Sequence, residues 1–538
     1  MGSNLFYIVA TIAFYLIFVL LIGFYYAKKN ESASDFYLGG RKLGPFVTAM
    51  SAEASDMSSW LLMGLPGVAY LSGSADVAWT SIGLAVGTYL NWLFVAKRLR
   101  IYTRITDSFT LPQFFSARFH DNRHILTAFA AAIIVIFFIP YTASGFAACG
   151  KLFNSLFGAD YMTAMIISAI VIVSYTAAGG FLAASTTDFV QSIIMTFALL
   201  FVLMYSIGTV GGVDEVLANA KALPGYLSLT ETYSVKTNSA APYTLLTIVS
   251  TMAWGLGYFG MPHILLRFMA IEDEQKLAVS RRVASVWVVI AMFIAIAIGI
   301  VGKTMTGAGL VKNLTDANTE TIIIQIANTI AEHGAAMAIG AGLVLAGILA
   351  STMSTADSQL LAAASSVSQD IMQGTMRANS DKKALSKKQS MFAARITVVV
   401  IAILAVIIAR DPGSYVFKIV AFSWAGFGAS FGPLVLASLF WKRTTFEGAL
   451  SGMVAGGVMI FVWKFLVAPM GGIWGINELL PAFLVSFVVL VGVSLMTTPD
   501  EDVMKEFEEM ERSLYLFKFV SFLNCHRDMP LCMARDSF

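Results

Sequence analysis

Two stretches of this chain gather oxygen-bearing side chains inside otherwise apolar sequence. Ser51-Ala52-Glu53-Ala54-Ser55-Asp56-Met57-Ser58-Ser59 carries two carboxylates among small residues, and Ser351-Thr352-Met353-Ser354-Thr355-Ala356-Asp357-Ser358 is a run of hydroxyls. Carboxylates within a membrane segment cost roughly 2.5 to 3.5 kcal/mol each on insertion scales and are usually functional. Hard cations such as sodium take oxygen ligands, and hydroxyls three or four residues apart on a helix converge on one ion with carbonyls freed from a neighbouring helix. Such hydroxyls also tie membrane helices together, and Glu53 is equally consistent with a solvated place at a membrane edge. In a third stretch, Trp254-Gly255-Leu256-Gly257-Tyr258-Phe259-Gly260-Met261-Pro262-His263, glycines and a proline weaken the helix and let another group approach the backbone. Trp254 and Tyr258 stand four apart and offer an aromatic wall with polar tips. Close packing by small residues with interfacial aromatics is the plainer reading of that stretch.

Enzyme signatures are absent from the sequence. There is no Gly-x-Ser-x-Gly elbow, no His-Glu-x-x-His and no dinucleotide fingerprint, and the five histidines do not cluster. Ala297 to Thr304 fits a loose phosphate-loop pattern but ends an apolar run, without the strand before it that the motif requires. Cys149, Cys525 and Cys532 have no Cys or His neighbour at metal spacing, so neither a disulfide framework nor a zinc site is expected. Net charge is only +2 and the basic residues are dispersed, which argues against nucleic acid as a partner.

The elements that must position these residues are membrane spans. Hydrophobic residues make up 57% of the chain and charged ones 13%, against about 25% charged in soluble domains, so the excess must face lipid. About thirteen runs are long and apolar enough to span, at roughly 5–27, 46–70, 77–96, 125–149, 161–182, 188–211, 243–266, 284–302, 335–366, 393–409, 415–441, 447–468 and 475–496. With the N-terminus outside, the inner loops hold 22 basic residues, among them Lys28, Arg41, Lys42, Arg98, Arg100, Arg104, Arg118, Arg267, Arg377, Lys382, Lys383, Lys442 and Arg443, whereas the outer loops hold six, Lys151, Lys221, Lys236, Lys303, Lys312 and Arg410, a bias the positive-inside rule accounts for. Residues 1–497 then form one transmembrane domain and 498–538 a cytoplasmic tail, with Asp500 to Arg512 an amphipathic helix. Outer connections at about 212–242 and 303–334 are expected to form short surface helices or gates. The second and seventh spans both carry helix-breaking residues and lie five spans apart. Spans 2–6 and 7–11 therefore read as two units of opposite orientation, with a site where the two helices break.

Leu38-Gly39-Gly40-Arg41, the run from Ala54 to Gly67, Trp254 to Gly260, Met353-Ser354-Thr355 and Trp424-Ala425-Gly426-Phe427-Gly428 resemble the sodium:solute symporter family, and within it the carriers of proline. The likeness extends over residues 5 to 497. It implies an all-α integral membrane protein with a LeuT-like inverted repeat, sodium-coupled symport of L-proline into the cell by alternating access, and no cofactor beyond sodium as coupling ion. Another small amino or carboxylic acid is the alternative cargo. Carried over by position, the resemblance puts sodium on the carbonyls of Ala54 and Met57, an oxygen of Ser351 and the hydroxyls of Ser354 and Thr355, with Asp56 and Ser58 affecting sodium affinity. It puts proline against Tyr141, Trp254, Tyr258 and Pro262, with Ser358 nearby, and gives Arg41 and Asp188 a part in coupling. An aromatic box suits a pyrrolidine ring, while its carboxylate needs a helix N-terminus or a hydroxyl. Glu53 and Ser59 stand where the proline carriers are expected to have glycine, and Ser351 where alanine is usual.

Overall fold

The computed structural model describes residues 2–28, 33–373, 387–411, 413 and 415–527. Arg377, Lys382 and Lys383 of the expected inner loops, with Cys532 and the rest of 528–538, lie outside them. The chain is a helical bundle: α1 (Gly2–Ala27), α2 (Pro45–Ser59), α3 (Leu65–Ser72), α4 (Ser74–Leu90), α5 (Ala96–Ile105), α6 (Ile125–Phe157), α7 (Tyr161–Thr209), α8 (Leu245–Met252), α9 (Pro262–Ala270), α10 (Leu277–Gly307), α11 (Ala335–Ser365), α12 (Lys387–Ile408), α13 (Val416–Phe440), α14 (Phe446–Val462), α15 (Leu479–Met496) and α16 (Glu501–Arg527). Among the described residues, eight helices are long and apolar enough to cross a membrane, and the protein is a multi-pass membrane protein. The other expected spans are shorter or interrupted helices.

Three of these interruptions matter. Between α2 and α3 the chain turns at Ser58, whose φ of 44° is a left-handed value costing a non-glycine residue about 1–2 kcal/mol. Between α8 and α9, residues Ala253–Gly260 tighten into a 3-10 turn and Met261 is extended. Helix α7 divides at Gly180 (φ 67°, ψ −165°), where glycine alone enters the left-handed region freely. The sequence placed that junction at 182–188, after the glycines; it falls on the second of them.

The two broken helices run antiparallel. Just before α2, the Leu43 amide donates to the Ala270 carbonyl at 3.1 Å, and the Glu272 amide, just after α9, donates back to the Leu43 carbonyl at 3.0 Å. The entrance of one broken helix therefore meets the exit of the other, as a pair of oppositely oriented units requires. Glycine brings α4 close to the second break: a Cβ on Gly87 of α4 would overlap the Gly255 carbonyl, and one on Gly255 would overlap that of Gly83.

The connection at 212–242 departs from an all-helical reading. Besides a helix at Val213–Ala222, it holds a hairpin, β1 (Glu231–Ser234) against β2 (Ser239–Pro242), with Tyr233 buried against Tyr226 at 5.8 Å between rings. Alternation in Glu-Thr-Tyr-Ser suits a half-buried strand but is too short to stand out in the sequence. The second connection forms a 3-10 turn (Asp316–Thr321) and a helix (Ile322–Ala331). The expected amphipathic helix of the tail is α16, which buries Val503, Phe507 and Met510.

Candidate functional site

The breaks in the two antiparallel helices face each other. Because Ser58 turns the chain, the carbonyls at the end of α2 lose regular helical partners and become available to other groups. Across the gap, the Tyr258 hydroxyl donates to the Asp56 carboxylate, and the Tyr141 hydroxyl of α6 donates to the Asp56 carbonyl at 3.3 Å. Asn91, at the start of a π turn following α4, donates to the Tyr258 carbonyl at 3.0 Å, so one orphaned carbonyl of the 3-10 turn is satisfied by a side chain.

Helix α11 supplies the hydroxyls. The Ser354 hydroxyl donates to the Ala54 carbonyl at 2.8 Å, across 300 residues of sequence, and to the Ser351 carbonyl at 3.2 Å. Thr355 donates to that same Ser351 carbonyl at 3.1 Å, while the Ser351 hydroxyl turns back to Ile348 at 2.9 Å. Ala54, Ser351, Ser354 and Thr355 thus sit in one buried cluster, and the oxygen Ser351 offers there is its carbonyl. Met57 is buried one residue before the break. Carbonyls and hydroxyls in such a dry cluster match the ligand chemistry of a hard monovalent cation.

Beside the cluster lies a small cavity of about 10 Å³ lined by Asp56, Met57, Trp60, Leu84, Tyr141, Trp254, Val420 and Trp424. That volume holds about one water. Trp254 also lines a vestibule of about 1310 Å³ that reaches Asp76, Tyr243, Phe417, Lys464 and Glu478. Trp60, Trp254 and Phe417 pack with ring centroids 5.4 to 6.1 Å apart, so an aromatic cluster separates vestibule from cavity. Of the expected substrate residues, Tyr141 and Trp254 line the cavity and Tyr258 reaches it through Asp56. Pro262, which starts α9, and Ser358 do not.

Ser358 belongs instead to a charged group. Arg267 of α9 donates to Ser358, to Asp188 at 3.1 Å and to Ser51 at 3.0 Å, and the Ser51 hydroxyl donates to Asp188 at 2.7 Å. Arg267 is 1% exposed and Asp188 is fully buried, which corrects the assignment of Arg267 to an inner loop: the carboxylate compensates the guanidinium within the bundle. Arg100 and Arg118 are likewise buried rather than free in a loop. Arg41 lies at the end where the broken helices enter and leave. It donates to the carbonyls of Thr103 (2.8 Å), Ser108 (2.9 Å) and Met269 (3.1 Å), which ties α9 to α5 and the turn after it. Burial, with Arg100 nearby, lowers the Arg41 guanidinium to about 10, and it stays cationic at neutral pH.

Reading the sequence missed Asn91, Thr88 and Trp92 of the third span, and Tyr175 and Asp357 beside Arg267. A signal existed for the first set: Thr88 and Asn91 are polar residues three apart in an apolar run.

The model of the sodium:solute symporter family matches residues 36–456. A sodium/proline symporter of Haemophilus influenzae is 40% identical over 510 residues, covering 94% of this chain and 97% of that protein. One from Staphylococcus aureus is 39% identical over 493 residues, covering 90% and 92%. Among solved structures, a Na+-coupled sialic acid symporter in its substrate-bound outward-open state superposes with a TM-score of 0.75 at 19% identity, covering 92% of this chain and 98% of that one. Mhp1, a nucleobase-cation-symport-1 family transporter in a closed conformation, superposes at 0.52 and 13%, covering 89% and 99%. These neighbours share the LeuT fold, and so does this chain.

Proposed function

The chain belongs to the sodium:solute symporter family, and on that footing we propose that it carries L-proline into the cell together with sodium, by alternating access. The curated relatives' names supply proline and sodium. The observation within this chain that carries the reading is the contact of the Ser354 hydroxyl with the Ala54 carbonyl, which joins oxygens of a broken helix and of α11 next to an aromatic cavity. In this proposal sodium takes the carbonyls of Ala54, Met57 and Ser351 and the hydroxyls of Ser354 and Thr355, with Asp56 and Ser58 setting affinity. Tyr141, Trp254 and Tyr258 form the wall for the pyrrolidine ring. Pro262 shapes the wall by starting α9, and Ser358 acts from the Arg267 group.

The basic end sealed by Arg41 is assigned to the cytoplasm, with the tail, and the N-terminus to the outside. The vestibule then opens outward and the inner path is shut, the arrangement that precedes capture of substrate. Thirteen crossings fit this orientation. Asp188 balances Arg267 as the inner half of the bundle rearranges, and Arg41 must release its three carbonyls for the cargo to leave. The lipid bilayer is the protein's solvent, and no cofactor enters the cycle.

Uptake of radiolabelled proline into proteoliposomes, with and without an inward sodium gradient, tests the reading. Sodium-dependent accumulation in the native protein, lost or moved to much higher sodium in Asp56→Ala, supports cargo and ion site together. No accumulation of proline under any gradient overturns the cargo, and another small amino or carboxylic acid takes its place.

A further inference from the structure

Glu53 precedes Ala54 and is 1% exposed. Its Oε1 accepts from the Thr88 hydroxyl and from the Trp92 indole N–H, both at 3.0 Å. Thr88 and Trp92 are four apart on one face of the third span, and Asn91, on the same face, holds the Tyr258 carbonyl at 3.0 Å. The Tyr258 hydroxyl in turn bonds Asp56. The third span therefore grips both broken helices, one through Glu53 and the other through Asn91. This grip is needed because α2 is broken at Ser58, four residues beyond Ala54, and a helix end without regular bonds does not fix its own carbonyls.

We infer that Glu53 is a positioning residue for the sodium site: by anchoring its turn of α2 to Thr88 and Trp92, it sets where the Ala54 carbonyl meets the Ser354 hydroxyl. The inference rests on the sodium reading above. What the role uses is the acceptor oxygen of Glu53. Its other oxygen, Oε2, is buried with no hydrogen-bond partner, as is Oδ1 of Asn91. Glutamine keeps the Oε1 acceptor and replaces the unpartnered Oε2 with an amide donor, so it removes the charge and leaves the anchor. Alanine removes the anchor. Groups that orient ligands without touching the ion typically change affinity by about 10- to 100-fold when lost.

Binding of 22Na+ to the purified full-length protein, paired with proline uptake at saturating sodium, tests the role. Glu53→Ala and the double change Thr88→Val with Trp92→Phe are expected to weaken sodium binding about 10- to 100-fold. The proline concentration for half-maximal uptake at saturating sodium stays native, and Glu53→Gln keeps native sodium affinity to within about 3-fold, half a decade. If Glu53→Gln is as weak as Glu53→Ala, the charge and not the anchor is used, and the inference is overturned in favour of direct ion contact. Sodium binding unshifted in Glu53→Ala, or unshifted in the Thr88/Trp92 pair, also overturns it. Should Glu53→Ala fail to fold, the pair and Glu53→Gln still decide. A native protein that binds no 22Na+ removes the sodium site itself and this role with it, whereas native binding with unshifted variants removes the role alone.

Discussion

The Tyr258 hydroxyl donates to the Asp56 carboxylate across the gap between two broken helices, joining residues 202 apart in sequence. Both groups are buried, so the bond forms where water does not compete. A hydrogen bond to a charged group contributes about 1.5–3 kcal/mol, or roughly 10- to 100-fold in an affinity. Tyr258→Phe removes only the hydroxyl, and half-saturating sodium and proline concentrations should each rise by about 10-fold or more. If the bond is the route, Asp56→Asn and Tyr258→Phe combined cost much less than the sum of each alone. Additive losses in that double-mutant cycle would separate the two residues.

Ser354 is placed to separate ion from cargo. Its hydroxyl faces the Ala54 carbonyl, while the aromatic cavity is lined by other residues. Ser354→Ala should therefore raise the sodium concentration for half-maximal uptake by about 10-fold or more, one lost oxygen contact being worth about 1.4 kcal/mol. Proline affinity at saturating sodium should not move. A change confined to proline would place Ser354 in the cargo pocket instead.

These contacts were partly legible in the sequence, and the reasons are physical. Polar residues stand out where lipid penalises them, so Ser51 to Ser59 and Ser351 to Ser358 announced themselves, and glycine with proline marked the second break. The residues that brace those segments did not. Trp92 and Tyr175 are ordinary in a membrane helix until a fold brings Glu53 or Asp357 against them. Arg267 looked like a loop cation because span ends are read from charge. Only three-dimensional packing shows Asp188 waiting for it, 79 residues away. The junction at Gly180 was misplaced by a few residues because no polar loop separates the helices it joins.

On the vestibule side, Glu320 joins three elements. It pairs with Lys151 of α6 at 2.8 Å and accepts from the amides of Val416 and Phe417 at the start of α13, at 3.2 and 3.0 Å. Lys151 is 7% exposed and Glu320 2%. Removing one partner of a buried pair costs about 3–5 kcal/mol, because the other charge stays buried. Glu320→Gln should thus lower the thermal unfolding temperature of the purified protein. Lys151→Met in that background should recover part of the loss by removing the charge. A double variant no more stable than Glu320→Gln would show that the contacts to α13, and not the ion pair, hold the connection.

At the opposite end, one side chain bonds three backbone carbonyls. Arg41 donates to the carbonyls of Thr103, Ser108 and Met269, so it fastens the entrance of the first broken helix to the exit of the second, to α5 and to the turn after it. Glutamine is too short to reach all three carbonyls. Losing even one such bond, at about 1.4 kcal/mol, should shift the equilibrium toward opening of this end about 10-fold. Ala270 is fully buried behind this seal. In a protein with Cys149, Cys525 and Cys532 replaced, an Ala270→Cys thiol should react with a polar maleimide about 10-fold faster when Arg41 is changed to Gln, and sodium should slow the reaction by favouring the sealed form. Equal rates with and without Arg41 would mean that the helix contacts through Leu43 and Ile271 close this end on their own.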